Sequence, residues 1–401
     1  MVSEKKKTIL KSAEMLFSTH GFNRTTVAYI AQESGIHEAS IYSYFGNKRN
    51  ILFAIYANYL QNAIESLNEH FQGMKEPGPK LRKSIWHYLA DMKNNQYCAR
   101  TLIMAQRENP DFYSSEQVRY IKEYSSLVLG VVITAQKEGF FLKNLSPRLI
   151  RNMAMGTCVF TVFDSLIHNR PYDPNEMSDI IYQLVINATC VDSPVAENSV
   201  KMTRSEKAEL RRSQIIETSI QVFSKKGFSN ATISEVANHA NLGDATLYEY
   251  FDNKEAILMG TAETYLQNLV SDEDINLRNS SEPEKALRKL IWRWIWQLYT
   301  YKEFSRVLVL ELFRNIRFYS SPGYEYLVAF HEKIRETVQQ GQKEGIFIED
   351  VPFPTYFHMI TGTLDQFLLS QFLLNRPPLG IAELNDTVDS FVRAIKTRKN
   401  P

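Results

Sequence analysis

The chain repeats itself at a fixed spacing. Gly21-Phe22 recurs as Gly227-Phe228, 206 positions further on, and the same spacing relates Phe17 to Phe223, Tyr42 to Tyr248, Phe45 to Phe251 and Asn47-Lys48 to Asn253-Lys254. It persists at Trp86 and Trp292, at Phe112-Tyr113-Ser114-Ser115 and Phe318-Tyr319-Ser320-Ser321, and at Gln136-Lys137-Glu138-Gly139 and Gln342-Lys343-Glu344-Gly345. Asn169-Arg170-Pro171 and Asn375-Arg376-Pro377 close the series, with no insertion or deletion between the first match and the last. Whatever architecture one half adopts, the other must therefore adopt as well. The chain reads as two tandem copies of one unit, each of about 190 residues, joined by the polar, proline-containing stretch VDSPVAENSVKMTR at 191–204.

Each copy reads as all-helical. Ile9, Ala13, Leu16 and Phe17 share one face of a first helix, and Ile215, Val222 and Phe223 share the matching one. Gly21 and Gly227 fall where that helix needs a left-handed C-terminal residue. Thr26 and Thr232 are placed to cap a second helix, and Thr232-Ile-Ser-Glu235 spells a capping box. A third helix carries the aromatic run after Gly35-Ile36 and Asn241-Leu242, and Asn47 and Asn253 cap a fourth. Two short helices joined by a tight turn behind a longer packing helix follow the helix-turn-helix plan. Beyond them, amphipathic segments with proline and glycine punctuation describe a helical bundle.

Composition narrows the class without naming it. A net charge of +1 gives the whole molecule no strong pull toward nucleic acid, so any basic footprint is local. Three widely spaced cysteines, Cys98, Cys158 and Cys190, suggest neither a disulfide framework nor a zinc site and fit a reducing compartment. MVSEKKKTIL carries no apolar signal region and no segment is apolar for the length of a membrane span, so a cytoplasmic location without membrane attachment is expected. No phosphate-cradling glycine loop, HExxH, CxxC or GxSxG is present and the histidines are scattered, so the reading is a non-enzyme with no cofactor and no metal.

The pattern Ala13, Phe17, Gly21-Phe22, Thr25-Thr26-Val27, Ile30-Ala31, Gly35-Ile36, Ser40-Ile41-Tyr42, Tyr44-Phe45, Asn47-Lys48, Leu52 resembles the tetracycline-repressor (TetR) family of bacterial transcription regulators. The second copy matches it through Phe223, Gly227-Phe228, Thr232-Ile233, Val236-Ala237, Leu242, Thr246-Leu247-Tyr248, Tyr250-Phe251, Asn253-Lys254 and Leu258. About fifty residues per copy carry the signature; the helices that follow resemble the family's ligand-binding and dimerisation domain only loosely. The resemblance implies helix-turn-helix domains at 1–50 and 205–256, ligand-binding and dimerisation domains at 51–190 and 257–401, and the linker at 191–204. Members carry one such unit per chain and pair as homodimers on palindromic operators. Two units in one chain is the departure here.

For DNA contact, Ile41 and Phe45 lie four apart and are expected to pack inward, leaving Ser40, Ser43 and Tyr44 to project elsewhere. The hydroxyls of Thr26, Ser40, Tyr42 and Tyr44 suit phosphate oxygens, as does Lys48 at a helix N-terminus. Thr25 joins them through the family pattern. Base edges fall to His37, Glu38, Ala39 and Ser43, with Tyr29 from the helix before. The counterparts in the second copy are Thr232, Asp244, Thr246, Tyr248, Tyr250 and Lys254. An isolated YxYF would read as core aromatics; its repetition with the threonine, asparagine and lysine spacings favours DNA.

The copies differ in charge. Residues 1–60 hold seven Lys/Arg against four Asp/Glu, whereas 207–266 hold six against eight, with Asp244, Glu249 and Asp252 in or beside the second recognition helix and Glu255 next to Lys254. The first copy is therefore expected to grip DNA more strongly. The aromatic residues Trp86, Tyr88, Phe112, Phe160, Trp292, Trp294 and Phe318 read either as core and dimer surface or as an aromatic-lined pocket for a small apolar or amphipathic effector. The expected partners are a double-stranded DNA operator and that effector. The competing class is a ligand-binding or protein-interaction module in which one or both heads have lost operator binding. The family's last two helices correspond to 146–190 and 352–397, and a linker of about fourteen residues, spanning at most roughly 50 Å, lets copy one pair with copy two within one chain. Further homodimerisation of whole chains stays open.

Overall fold

A computed structural model describes residues 4–102, 115–189, 209–240, 242–270 and 282–397. Phe112, Cys190 and the 191–204 linker lie outside the described residues. Among those described, the secondary structure is helical throughout apart from one isolated bridge between Phe347 and Lys396. The all-helical, twice-written architecture expected from the repeat is what is found. No helix among them is long and apolar enough to cross a membrane.

The residues divide into two compact units. The first spans Met1–Cys190 and takes in Pro354–Gln366 and Leu373–Asn375. It contains α1 (Glu4–His20), α2 (Val27–Ser34), α3 (Glu38–Phe45), α4 (Lys48–Phe71), α5 (Pro77–Asn94), α6 (Gln96–Arg100), α7 (Val118–Lys137), α8 (Pro147–His168) and α9 (Pro174–Thr189). The second holds α10 (Glu209–Lys226), α11 (Ile233–His239), α12 (Asp244–Tyr248), α13 (Lys254–Val270), α14 (Pro283–Thr300), α15 (Lys302–Leu310), α16 (Pro322–Lys343), the remainder of α17 (Phe353–Leu373) and α18 (Ile381–Ile395).

Helix boundaries follow the chemistry of their ends. Gly21 and Gly227 adopt φ of 81° and 77°, values that L side chains rarely tolerate, and so end α1 and α10 where the sequence places the stop. Pro77 and Pro283, 206 residues apart, stand in the first turns of α5 and α14, where a missing N–H leaves no bond unmade. Among the described residues, Asn169 and Asn375 are the non-glycine residues with positive φ, and both precede the repeated Arg-Pro. The boundary expected at residue 50 falls inside α4, which runs unbroken from the first head into the bundle. Motion of one is thus tied to motion of the other.

Within the first unit, α8 and the Pro354–Gln366 stretch of α17 approach backbone to backbone. A Cβ added to Gly156 would lie 2.5 Å from the carbonyl carbon and oxygen of Gly362, closer than atoms can approach. These two glycines are themselves 206 residues apart.

Candidate DNA-binding heads and an interior cavity

The first head is built around Ile9, Ala13, Leu16, Phe17, Val27, Ile30 and Ile41, closed by Ile51, Leu52 and Tyr56 of α4. Burying each large aliphatic side chain stabilises the fold by about 1.5–3 kcal/mol, which holds α2 and α3 in fixed relation. The Thr26 hydroxyl accepts from the Tyr29 N–H at 3.1 Å, and Asn47 Oδ1 accepts from the Asn50 N–H at 2.9 Å. In the second head Thr232 and Glu235 form the reciprocal capping box, and Asn253 accepts from the Ala256 N–H at 2.8 Å. All four caps stand where the sequence places them.

His37, Glu38, Ala39 and Ser43 are exposed along α3, Ser40 is half-buried, and Tyr42 is 48% exposed. Tyr29 is exposed on α2 with its hydroxyl 3.4 Å from His20 Nε2. This presents hydroxyls, an imidazole and a carboxylate on one short helix and its neighbour, a set able to bond both base edges and phosphates. Tyr44 instead packs half-buried against the head core, with the Lys6 ammonium 5.7 Å from its ring centre.

Two residues expected at the DNA have partners within the head. Thr25 is fully buried and its hydroxyl donates to Gly21 O at 2.9 Å and Leu16 O at 3.3 Å, so it ties the α1–α2 turn together and cannot reach a phosphate. Lys48 does not hold its ammonium out at the start of α4. It donates to Phe22 O at 2.7 Å and Thr25 O at 2.8 Å, and lies 4.2 Å from the centre of the Phe22 ring. A turn that leaves carbonyls without helical partners competes with any phosphate for the same donor.

Lys254 repeats this arrangement, donating to Phe228 O at 2.7 Å and Ala231 O at 2.8 Å over the Phe228 ring. Burial lowers its pKa, partly offset by the Glu311 carboxylate, which also accepts the Phe228 N–H. Glu255, next to Lys254 in the sequence, accepts from Asn315 Nδ2 and from Arg317. Asp244 accepts from the Ser234 hydroxyl, which links α11 to α12. Thr246 is half-buried, Tyr248 is 51% exposed and Tyr250 is exposed in the turn that follows. The second recognition helix is the shorter, five residues against eight.

Several of the aromatic residues expected to line a pocket pack against other rings. Trp294 is buried against Phe330, and Phe318 is fully buried among Tyr319, Tyr324 and Phe313. Trp86 donates to Asn175 and faces the His70 ring. Phe160 packs against Phe163, and Trp292 is half-buried on α14. Burial pushes the Tyr88 hydroxyl well above its usual range, with Cys158, Tyr124 and Tyr172 adding to the effect.

A cleft of about 270 Å³, open to solvent at the exposed Asn58, Asn62 and Asn95, lies among α1, α4, α5 and α6 of the first unit, and none of those aromatics lines it. Its wall includes Glu14, Tyr59, Ser66, His87, Asp91 and Cys98. The Glu14 carboxyl is raised by burial, a change offset in part by the Cys98 thiol donating to it. The Asp91 carboxylate accepts from Asn95 Nδ2 at 2.8 Å. The His87 pKa is lowered, chiefly by burial, with Asp91 opposing the change and His70 and Lys83 adding to it. The missed signal is polar spacing: Asn58, Asn62 and Ser66 on α4, and His87, Asp91 and Asn95 on and beside the end of α5, each recur every four residues on one helical face. Among the described residues no group of histidine, cysteine and carboxylate side chains is arranged to hold a metal ion.

Two heads of this build, each a packed helix followed by a capped second and an exposed third, define a helix-turn-helix DNA-binding protein. The model for bacterial regulatory proteins of the tetR family matches residues 9–55 and again 215–259, and that for the C-terminal region of YsiA-like proteins matches 56–188. The chain belongs to the TetR family, as a tandem duplication of its DNA-binding domain, and is a transcription regulator rather than an enzyme. It is similar to the HTH-type transcriptional repressor NicS of Pseudomonas putida, at 28% identity over 195 residues, 48% of this chain and 89% of that one. It is also similar to the fatty acid metabolism regulator protein of Bacillus subtilis, at 22% over 179 residues, 45% of this chain and 92% of that one. Among solved structures it resembles the fatty acid degradation regulator FadR from Bacillus halodurans, with 20% identity, a TM-score of 0.44, and coverage of 46% of this chain and 96% of that one.

Proposed function

We propose that this regulator is a ligand-responsive repressor whose two fused heads read one asymmetric or pseudo-palindromic operator. The observation that carries this is the pair of heads matched at 206 residues yet different where they would meet bases: His37 stands against Gly243 and Ser43 against Glu249. Half-sites lie about one helical turn apart or somewhat more. The half-site under α3 carries most of the sequence information, because α3 is longer and free of the Glu249 and Asp252 carboxylates that flank the second helix. Tyr29, His37, Glu38, Ala39, Ser40, Tyr42 and Ser43 form its contact surface, with Thr232, Thr246, Tyr248 and Tyr250 the weaker counterpart.

Pairing of the two copies within one chain fits this reading. Its support is the inclusion of Pro354–Gln366 in the first unit and the close approach of the repeat-matched Gly156 and Gly362. In vitro selection of DNA by the full chain is the test. A site with unequal information in its two halves is expected, and a perfect palindrome with equal halves would overturn the proposal. Absence of any selected site would favour the reading in which the heads have lost operator binding.

A further inference from the structure

Several residues that line the cleft of the first unit are replaced in the repeat by larger apolar ones. The residues matched to Glu14, Asn95 and Cys98 are Ile220, Tyr301 and Phe304. In the second unit these fill the space: Ile220 and Phe304 are buried, Phe304 stacks on Tyr265 at 4.7 Å, and Tyr301 packs edge-on to Tyr265 at 5.0 Å. Asp91 is matched by Gln297, which donates to Tyr265 O at 2.7 Å. One fold thus tolerates an aromatic plug at this place. The first copy instead keeps about 270 Å³ of partly open space lined by two carboxylates.

The wall also holds a polar group without a partner. His87 is 5% exposed, its Nε2 lies 3.1 Å from the Ser66 hydroxyl, and its Nδ1 has no hydrogen bond. In the tautomer that donates Nε2–H to Ser66, Nδ1 offers a lone pair. His87 shares this wall with the Glu14 and Asp91 carboxylates, and no lysine or arginine lines it, a set complementary to a donor that carries positive charge.

We propose that this cleft binds one small organic cation per chain, an amine whose ammonium is held by Glu14 and Asp91 and donates to His87 Nδ1. The volume is just below the roughly 300–1,000 Å³ of ordinary small-molecule sites, so the ligand is short. The site joins head to bundle: Glu14 is on α1, Asp91 on α5, and the Glu14 carbonyl accepts from the Thr101 hydroxyl beyond α6 at 3.4 Å. A bound cation therefore fixes α1 against α5, and that regulatory consequence rests on the ligand-responsive reading above, while the binding does not.

Calorimetry of the full chain with cadaverine tests it, with pentanediol and glutarate as the neutral and anionic matches. Cadaverine is expected to bind with a stoichiometry of one per chain, and the other two not at all. Glu14→Gln and Asp91→Asn should each weaken it about tenfold or more. Cys98→Phe, which supplies the ring that Phe304 supplies in the second copy, should abolish it. Two sites per chain, equal binding of pentanediol, undiminished binding by both carboxylate variants, or no binding of cadaverine to the wild-type chain would each overturn the proposal. Should a variant fail to fold, the wild-type pH profile decides: affinity must fall as the solution is acidified through the carboxylate range, and a flat profile overturns the site. Cadaverine binding without effect on operator affinity keeps the site and removes its regulatory role. Intact operator binding with no amine binding removes the site and leaves the regulator standing.

Discussion

The Lys48 ammonium lies 2.7 Å from the Phe22 carbonyl oxygen and 4.2 Å from the centre of the Phe22 ring, so one residue of the α1–α2 turn engages both the charge and the donor of this lysine. The same geometry joins Lys254 to Phe228. A hydrogen bond from a charged donor is worth about 1.5–3 kcal/mol, and the ring contact adds to it. Lys48→Ala is therefore expected to destabilise the first head by about 1–3 kcal/mol, seen as a lower melting temperature. The slope of log affinity against log salt should stay nearly unchanged. A slope reduced by about 1 at constant stability would return Lys48 to the phosphate backbone.

Tyr42 and Tyr248 are comparably exposed, at 48% and 51%, and differ in the head that carries them. Removing either hydroxyl leaves the packing intact. Tyr42→Phe is expected to weaken operator binding by about 0.5–1.5 kcal/mol, up to roughly tenfold, and Tyr248→Phe by less. Fluorescence anisotropy with the selected operator measures both; equal losses would show that the heads grip DNA alike.

Gly156→Ala forces a methyl group onto the Gly362 backbone, where nothing can yield without moving a helix. The expected loss is about 1–3 kcal/mol. Gly130, inside α7, has open space around its missing Cβ. There alanine should stabilise by up to about 1 kcal/mol. Chemical denaturation of the pair separates close approach from helix propensity.

His358 is pushed down to about 4, first by burial, with Arg170 and His168 lowering it further and Asp164 raising it. A histidine whose folded pKa lies below its unfolded value of about 6.5 binds fewer protons in the native state. Its contribution is present above that pH and is lost as pH falls from about 6.5 toward 4. His358→Gln should flatten this part of the stability profile, measured by urea unfolding between neutral pH and pH 4. An unchanged slope would assign the acid limb to other groups.

Local rules read from the chain held where local chemistry decides. Thr26, Thr232, Asn47 and Asn253 cap helices because a short side chain and the next turn are all that a cap requires. Lys48 escaped those rules because its partners are the carbonyls of Phe22 and Thr25, more than twenty residues earlier, whose unmet valence exists only once the turn has folded. The cleft escaped for another reason. The every-fourth-residue polar faces of α4 and α5 read as ordinary solvated helix faces, and no local rule says that they meet each other and Glu14 of α1. Asp244 shows the same limit, since a carboxylate counted as repulsive toward DNA is bonded to Ser234.

The unequal lengths of α3 and α12 bear on how such a regulator changes over generations. In a regulator built from two identical chains, every codon change is expressed twice, and a new side chain must suit both halves of its operator at once. On the proposed operator, read by the two heads of one chain, a change in α3 alters one head and α12 stays as it was. Each half-site would then drift with its own head, one exploring a new sequence while the other holds the operator.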